Sequence, residues 1–220
     1  MILPLIARAS LFVILATGLV SAGNIVTDFP TSNLPTNGDW IYGAAATVGG
    51  AVTPFAAGFI DDSDYLGWAL GDSTLVLRPK HTFTGGTVYY VTDFLNLHPG
   101  SGGMNAVVRW TAPSAGVYLI AGQFKSHDVI PSGVNAYVYI AGVNEYATLL
   151  TTTLQTAGFS ISKSLAAGQT VDFIVNFAGT YINDSTGLQG SITSSAVPEP
   201  SSMLLMGTAA ALLALVRRRR

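Results

Sequence analysis

The 220-residue chain contains no cysteine. A disulfide scaffold, a thiol nucleophile and a thiolate metal site are therefore excluded, and packing alone must hold the fold. Charge is scarce as well, since Asp, Glu, Lys and Arg make up 10% of the residues. Between residues 23 and 196 five cations (Arg78, Lys80, Arg109, Lys125 and Lys163) face eleven carboxylates, a net charge of −6. This balance argues against nucleic acid as a partner, because backbone recognition needs clustered positive charge. Catalytic signatures are thin too. The three histidines, His81, His98 and His127, lack His-Glu-x-x-His spacing, and no Gly-x-Ser-x-Gly elbow occurs. Glu145 is the only glutamate before the last two dozen residues. A glycosidase pair would have to use aspartates, with Asp128 and Asp184 best placed in loops between strands. The expectation is a protein that is not an enzyme.

What the chain does have is concentrated at its ends. After Arg8 runs the apolar segment Ala9 to Val20, and Val20-Ser21-Ala22 meets the small-residue rule for signal peptidase, with cleavage expected after Ala22. At the other end, Pro198-Glu199-Pro200 is a rigid, extended stop. Ser201 to Val216 is uncharged and mostly apolar, and Arg217, Arg218, Arg219 and Arg220 close the chain. As a helix the apolar run would be about 24 Å long at 1.5 Å per residue, shorter than the roughly 30 Å hydrocarbon core. Snorkelling arginines can bridge that shortfall, with the basic end on the cytoplasmic side.

These three parts in this order resemble the PEP-CTERM sorting signal of Gram-negative bacteria. The resemblance covers about a tenth of the chain and reports destination rather than activity. It implies exosortase as a processing partner and a transient membrane anchor through the C-terminal helix. Export across the inner membrane would follow, with a final place at the cell surface or outside the cell, in association with exopolysaccharide or biofilm.

The reading divides the chain into a signal peptide (1–22), an ectodomain (23–196) and the sorting signal (197–220). The ectodomain is long enough for a real core, and its apolar residues alternate with polar ones. Ala106, Val108 and Trp110 face one way and Asn105, Arg109 and Thr111 the other. Val171, Phe173 and Val175 repeat the pattern, with Asp172 outward as a solvated residue. Nine to eleven short strands are expected, with no helix between the two terminal segments. An antiparallel, all-β, two-layer sandwich of jelly-roll type follows. The spacing reads residues 105–111 and 117–124 as a hairpin across the turn Ala112 to Gly116. Trp40 to Gly43, Leu97 to Gly100, Val108 to Trp110, Ala112 to Tyr118 and Asp184 to Gly187 resemble pieces of jelly-roll ectodomains that precede PEP-CTERM tails, a class that brings no activity with it.

Two kinds of site are expected on such a body. A carbohydrate-binding module needs exposed aromatic rings with hydrogen-bonding neighbours, for which Tyr65, Trp68, Tyr137 and Tyr181 are candidates. Trp68 and Tyr65 fall in an expected loop, and Tyr137 and Tyr139 share the face opposite Val138 and Ile140. No organic cofactor is expected. Calcium is the one candidate ion, through Asn183 and Asp184 in an oxygen-rich turn together with Asp128. The cluster Asp61, Asp62 and Asp64 reads as a solvated acidic loop.

Overall fold

A computed structural model describes residues 19–195. The sorting tail and all of the signal segment before Leu19 lie outside the described residues. Seventeen strands and no helix are present in the described residues, so no helix there could cross a membrane. In chain order the first strands are β1 (Leu19–Asn24), β2 (Thr36–Asn37), β3 (Trp40–Ala45), β4 (Thr53–Pro54), β5 (Phe59–Asp61) and β6 (Tyr65–Ala69). Next come β7 (Leu75–Pro79), β8 (Phe83–Gly85), β9 (Val88–Tyr90), β10 (Leu95–His98), β11 (Asn105–Thr111) and β12 (Gly116–Ser126). The last are β13 (Val134–Ile140), β14 (Val143–Leu150), β15 (Thr156–Leu165), β16 (Thr170–Phe177) and β17 (Thr186–Ser195).

An eight-stranded sheet runs β15-β12-β17-β10-β7-β6-β5, with β1 also against β17. A seven-stranded sheet runs β14-β13-β16-β11-β3-β2, with β4 against β3. Their inward rows meet in one core. Val108, Trp110, Phe173 and Val138 from the second sheet pack with Ile120, Phe124, Leu97 and Leu188 from the first, all sealed from solvent. The period-2 alternation dictates this, because each strand has one apolar face and two such faces bury one another. The expected sandwich is observed.

One connection differs from expectation. β11 and β12 are not a hairpin: β11 pairs with β3 and β16, whereas β12 pairs with β15 and β17. Residues 112–115 therefore carry the chain from one sheet to the other. The crossing is tied down by Ala112 N–H donating to Gln169 C=O at 2.8 Å and by Tyr118 Oη donating to Ser114 C=O at 2.8 Å. A turn next to two amphipathic strands looks the same in sequence whether it closes a hairpin or changes sheets. Near the N-terminus, residues 25–28 form a turn. There Asn24 Oδ1 accepts from the N–H groups of Val26 and Thr27 at 3.0 and 2.9 Å. The expected signal-peptidase cut after Ala22 falls inside β1, whose Gly23 packs against the Trp40 ring.

Candidate functional site

The four aromatic candidates lie in three different places. Trp68 is not in a loop: it is the fourth residue of β6, 1% exposed, and parallel to Tyr42 at 6.0 Å and to Phe55 at 6.2 Å between ring centroids. No ligand reaches it. Tyr65, at the start of β6, packs half-buried against Phe83 and Tyr90 beneath the β8–β9 hairpin. Tyr181 is exposed in the segment before β17.

Tyr137 alone has an aromatic partner on an open face. It and Tyr139 project from the outer side of β13, both half-buried, with ring centroids 6.1 Å apart at 68°. Cross-strand pairing places Tyr137 beside Ile174 and Tyr139 beside Asp172, and Arg109 follows Asp172 on β11. Below the rings a small apolar base of Ala45, Val107 and Ile174 keeps them upright. Asp172 is 3% exposed rather than solvated, because Arg109 clamps it with two charge-assisted bonds, Nε–Oδ1 at 2.6 Å and Nη2–Oδ2 at 2.7 Å. Further along the same two strands, beyond Val107 and Ile174, Asn176 Nδ2 donates to Asn105 Oδ1 at 2.7 Å, and Asn105 Nδ2 donates to Ala45 C=O at 2.8 Å. Asn135, next to Asn176 on β13, has no side-chain hydrogen bond among the described residues and faces solvent in part. The loop after β3 presses on the edge of this face. Gly49 has φ +72°, and a Cβ there would stand 2.4 Å from the Tyr139 ring. The result is a shallow surface with two rings, an amide and a guanidinium–carboxylate pair. Nothing in the local sequence marks Asn135 and Arg109 as site residues, although the alternation of β13 and β11 puts them on the tyrosine side.

The oxygen-rich residues do converge, at one end of the sandwich. Asp128, just after β12, accepts from Thr87 Oγ1 at 3.1 Å and from Ser185 N–H at 2.5 Å. Asp184, just before β17, accepts from Ser132 Oγ at 2.7 Å through Oδ1, while its Oδ2 is enclosed with no partner among the described residues. Asn183, held at φ +60°, brings Oδ1 to 3.4 Å from Thr87 Oγ1. A cavity of about 330 Å³ opens here, lined by Thr87, Tyr90, His98, Asp128, Tyr181 and Asn183 among others. Burial, with the Asp128 charge adding to it, pushes the Asp184 carboxyl up to about 6. Asp128 is also raised by burial, which outweighs its bonds from Ser185 and Thr87. Burial lowers His98. No set of three His, Cys, Asp or Glu side chains positioned for a metal exists among the described residues. Only Asp184 Oδ2 and Asn183 Oδ1 offer oxygen not already committed to a strong bond, so a cation here would draw the rest of its shell from carbonyls and water.

As a glycosidase pair these aspartates are poorly presented. Asp128 reaches the cavity, but Asp184 is fully buried behind Ser132 and does not line it. Glu145 is bound to Lys163 at 2.5 Å on the β14–β15 side. The Asp61–Asp64 loop is a capped, solvated turn in which Asp62 Oδ1 accepts from the N–H groups of Asp64 and Tyr65.

At the C-terminus, comparison with protein families matches residues 196–220 to the PEP-CTERM protein-sorting motif. The chain carries a PEP-CTERM sorting signal. The motif implies an exported protein that transits a membrane and is processed by exosortase. No curated protein matches the chain. Among solved structures, a CBM51 module from Clostridium perfringens GH95 in complex with methyl-galactose is 9% identical, covering 64% of this chain and 95% of that one at a TM-score of 0.36. A family 35 carbohydrate binding module from Clostridium thermocellum is 17% identical, covering 53% and 86% at a TM-score of 0.32. At such scores neither carries weight for the ligand of this PEP-CTERM chain, which rests on the geometry above.

Proposed function

We propose that the ectodomain is a non-catalytic carbohydrate-binding module that exosortase releases or anchors outside the cell, where it associates with exopolysaccharide. The observation that carries this reading is the Tyr137–Tyr139 pair. Two phenol rings stand on an open sheet face with Asn135 and the Arg109–Asp172 pair in reach, a combination suited to stacking on pyranose faces and bonding their hydroxyls. Changing both tyrosines to alanine is expected to weaken binding to exopolysaccharide from the producing strain at least tenfold in a sedimentation assay. The thermal midpoint should fall somewhat, because the rings cover Ala45, Val107 and Ile174, so binding is compared well below both midpoints. Unchanged binding by the double variant would sink the proposal.

The converging aspartates add a proposal on stability. A proton or a cation on the unpartnered Asp184 Oδ2 would be favoured in its enclosure, and Asn183 and Asp184 are the residues whose free oxygens would hold calcium, with the Asp128 charge beside them. The folded Asp184 carboxyl titrates higher than its unfolded counterpart, so the folded state binds more protons between about pH 4 and 6. Stability in chelator therefore falls as pH rises through that window. Calcium at a hundredfold excess over its dissociation constant would return about 2.7 kcal/mol. In Asp184→Asn the pH slope is expected to shrink to the part that the raised Asp128 carboxyl supplies, and the calcium response to disappear, read by urea unfolding at pH 5 and 7.5. A wild-type chain whose stability is flat over this range would refute the assignment.

A further inference from the structure

A second cavity lies on the other side of the sandwich from the tyrosines. It is a groove of about 720 Å³ on the outer face of the eight-stranded sheet. Its floor is a cross-strand row of Gly158, Gln123 and Gln189, extended by Gly122 and Gly190. The neighbours of that row, Phe124, Phe159 and Leu188, point into the core, so Gln123 and Gln189 point out. Gly158 leaves the outward row without a side chain, and Gly122 and Gly190 contribute backbone, so the track is open. Asn24, Thr27, Arg78, Thr92 and Asp93 complete the lining.

Unlike the carboxylates at the end of the sandwich, most of these side chains are not engaged by the protein. Among the described residues, the side chains of Arg78, Thr92, Asp93, Gln123, Gln189 and Ser191 make no intramolecular hydrogen bond. Arg78 has no carboxylate within ion-pair distance, although Asp93 lines the same groove. A half-buried guanidinium without a partner is a planar fork of donors matched to a carboxylate. Paired amides at Gln123 and Gln189 can both donate to and accept from hydroxyls. There is no aromatic ring in the lining, so recognition here works by hydrogen bonds along a strand rather than by stacking on one sugar.

We propose that this groove binds a strand of uronic-acid-bearing polysaccharide, with a sugar carboxylate on Arg78 and hydroxyls on Gln123, Gln189 and Thr92. It is a second glycan surface, on the sheet opposite Tyr137 and Tyr139, and stands on its own residues. With both faces occupied, one molecule bridges two polymer strands.

The test titrates the full-length chain with polygalacturonate and, as a neutral control, dextran, using Arg78→Gln, Gln189→Leu and the Tyr137→Ala/Tyr139→Ala double variant. Arg78→Gln is expected to lower polygalacturonate affinity at least tenfold and to abolish its salt dependence. Gln189→Leu, at a half-exposed position where a change of shape is small, should lower it severalfold and keeps the test open if Arg78→Gln does not fold. Equal binding of dextran and polygalacturonate, or unchanged affinity in a folded groove variant, overturns the groove. If the groove variants lose polygalacturonate and the tyrosine variant keeps it, the groove stands independently of the tyrosine face, whose own test is the exopolysaccharide assay; loss in the tyrosine variant with none in the groove variants overturns the groove.

Discussion

Trp68→Ala is expected to destabilise the domain by about 4 kcal/mol, at the upper end of large-to-small core substitutions. The indole is 1% exposed and is ringed by Phe29, Tyr42, Phe55 and Phe59 at centroid distances of 5.7, 6.0, 6.2 and 5.5 Å. Truncation would remove its own buried area and leave a void bounded by four other rings, which are too rigid to collapse into it. For a domain of this size the thermal midpoint should drop by roughly 10 °C. The residue also separates two roles in one experiment. A sugar platform at Trp68 would lose ligand and keep its midpoint, whereas a core tryptophan loses its midpoint and, below that temperature, keeps ligand affinity. Thermal unfolding and glycan binding measured on the same preparation decide between them, and a midpoint within two degrees of wild type would contradict the packing described here.

Asp172→Ala is the second large effect, about 3 kcal/mol, because it strands a partly buried guanidinium. Arg109 is 21% exposed and Asp172 4% exposed by side chain, so the carboxylate is the more enclosed partner and Arg109→Ala should cost at least as much. The pair sits on β11 and β16 in the middle of the seven-stranded sheet, directly across from one another. The double variant Arg109→Ala/Asp172→Ala is expected to lose less than the sum of the singles, with a coupling of about 2 kcal/mol in urea unfolding. Replacing both with leucine or methionine should recover most of the loss, since matched apolar groups need no desolvated charge to be compensated. Additive single losses would show that the two bonds, at 2.6 and 2.7 Å, contribute little beyond local packing. Tyr139 is the next residue in the same cross-strand row, so the single variants should also weaken glycan binding through its loosened support.

The residues that misled the sequence reading share a cause. Trp68 stands among Tyr65, Gly67 and the acidic turn Asp61–Asp64, and local composition there says loop. The strand exists because β7 and β5 flank it, partners supplied from elsewhere in the chain. Asp172 alternates outward and so reads as solvated, yet the arginine that covers it is 63 positions away. The β11–β12 turn has hairpin chemistry, but the choice between neighbouring strand and opposite sheet lies in pairings with β15, β16 and β17 that no short window contains. Asp128 and Asp184 could be named as a pair from their loop positions. Their burial, and the orphaned oxygen that follows from it, could not.

By itself the sequence determined the parts of this protein that depend on local chemistry. The order of Pro-Glu-Pro, apolar run and arginines makes a sorting signal without any fold. The alternation of apolar and polar residues makes strands with one inward face, and two such faces have little choice but to form a sandwich. The tertiary structure alone decided which strands share a sheet, that Trp68 is core, that Tyr137 and Tyr139 are left on an open face, and that an arginine, an aspartate and two glutamines line a groove on the other. Those outcomes depend on contacts between residues tens of positions apart, and it is the energy of long-range packing and pairing, summed over the whole domain, that selects among locally equivalent arrangements.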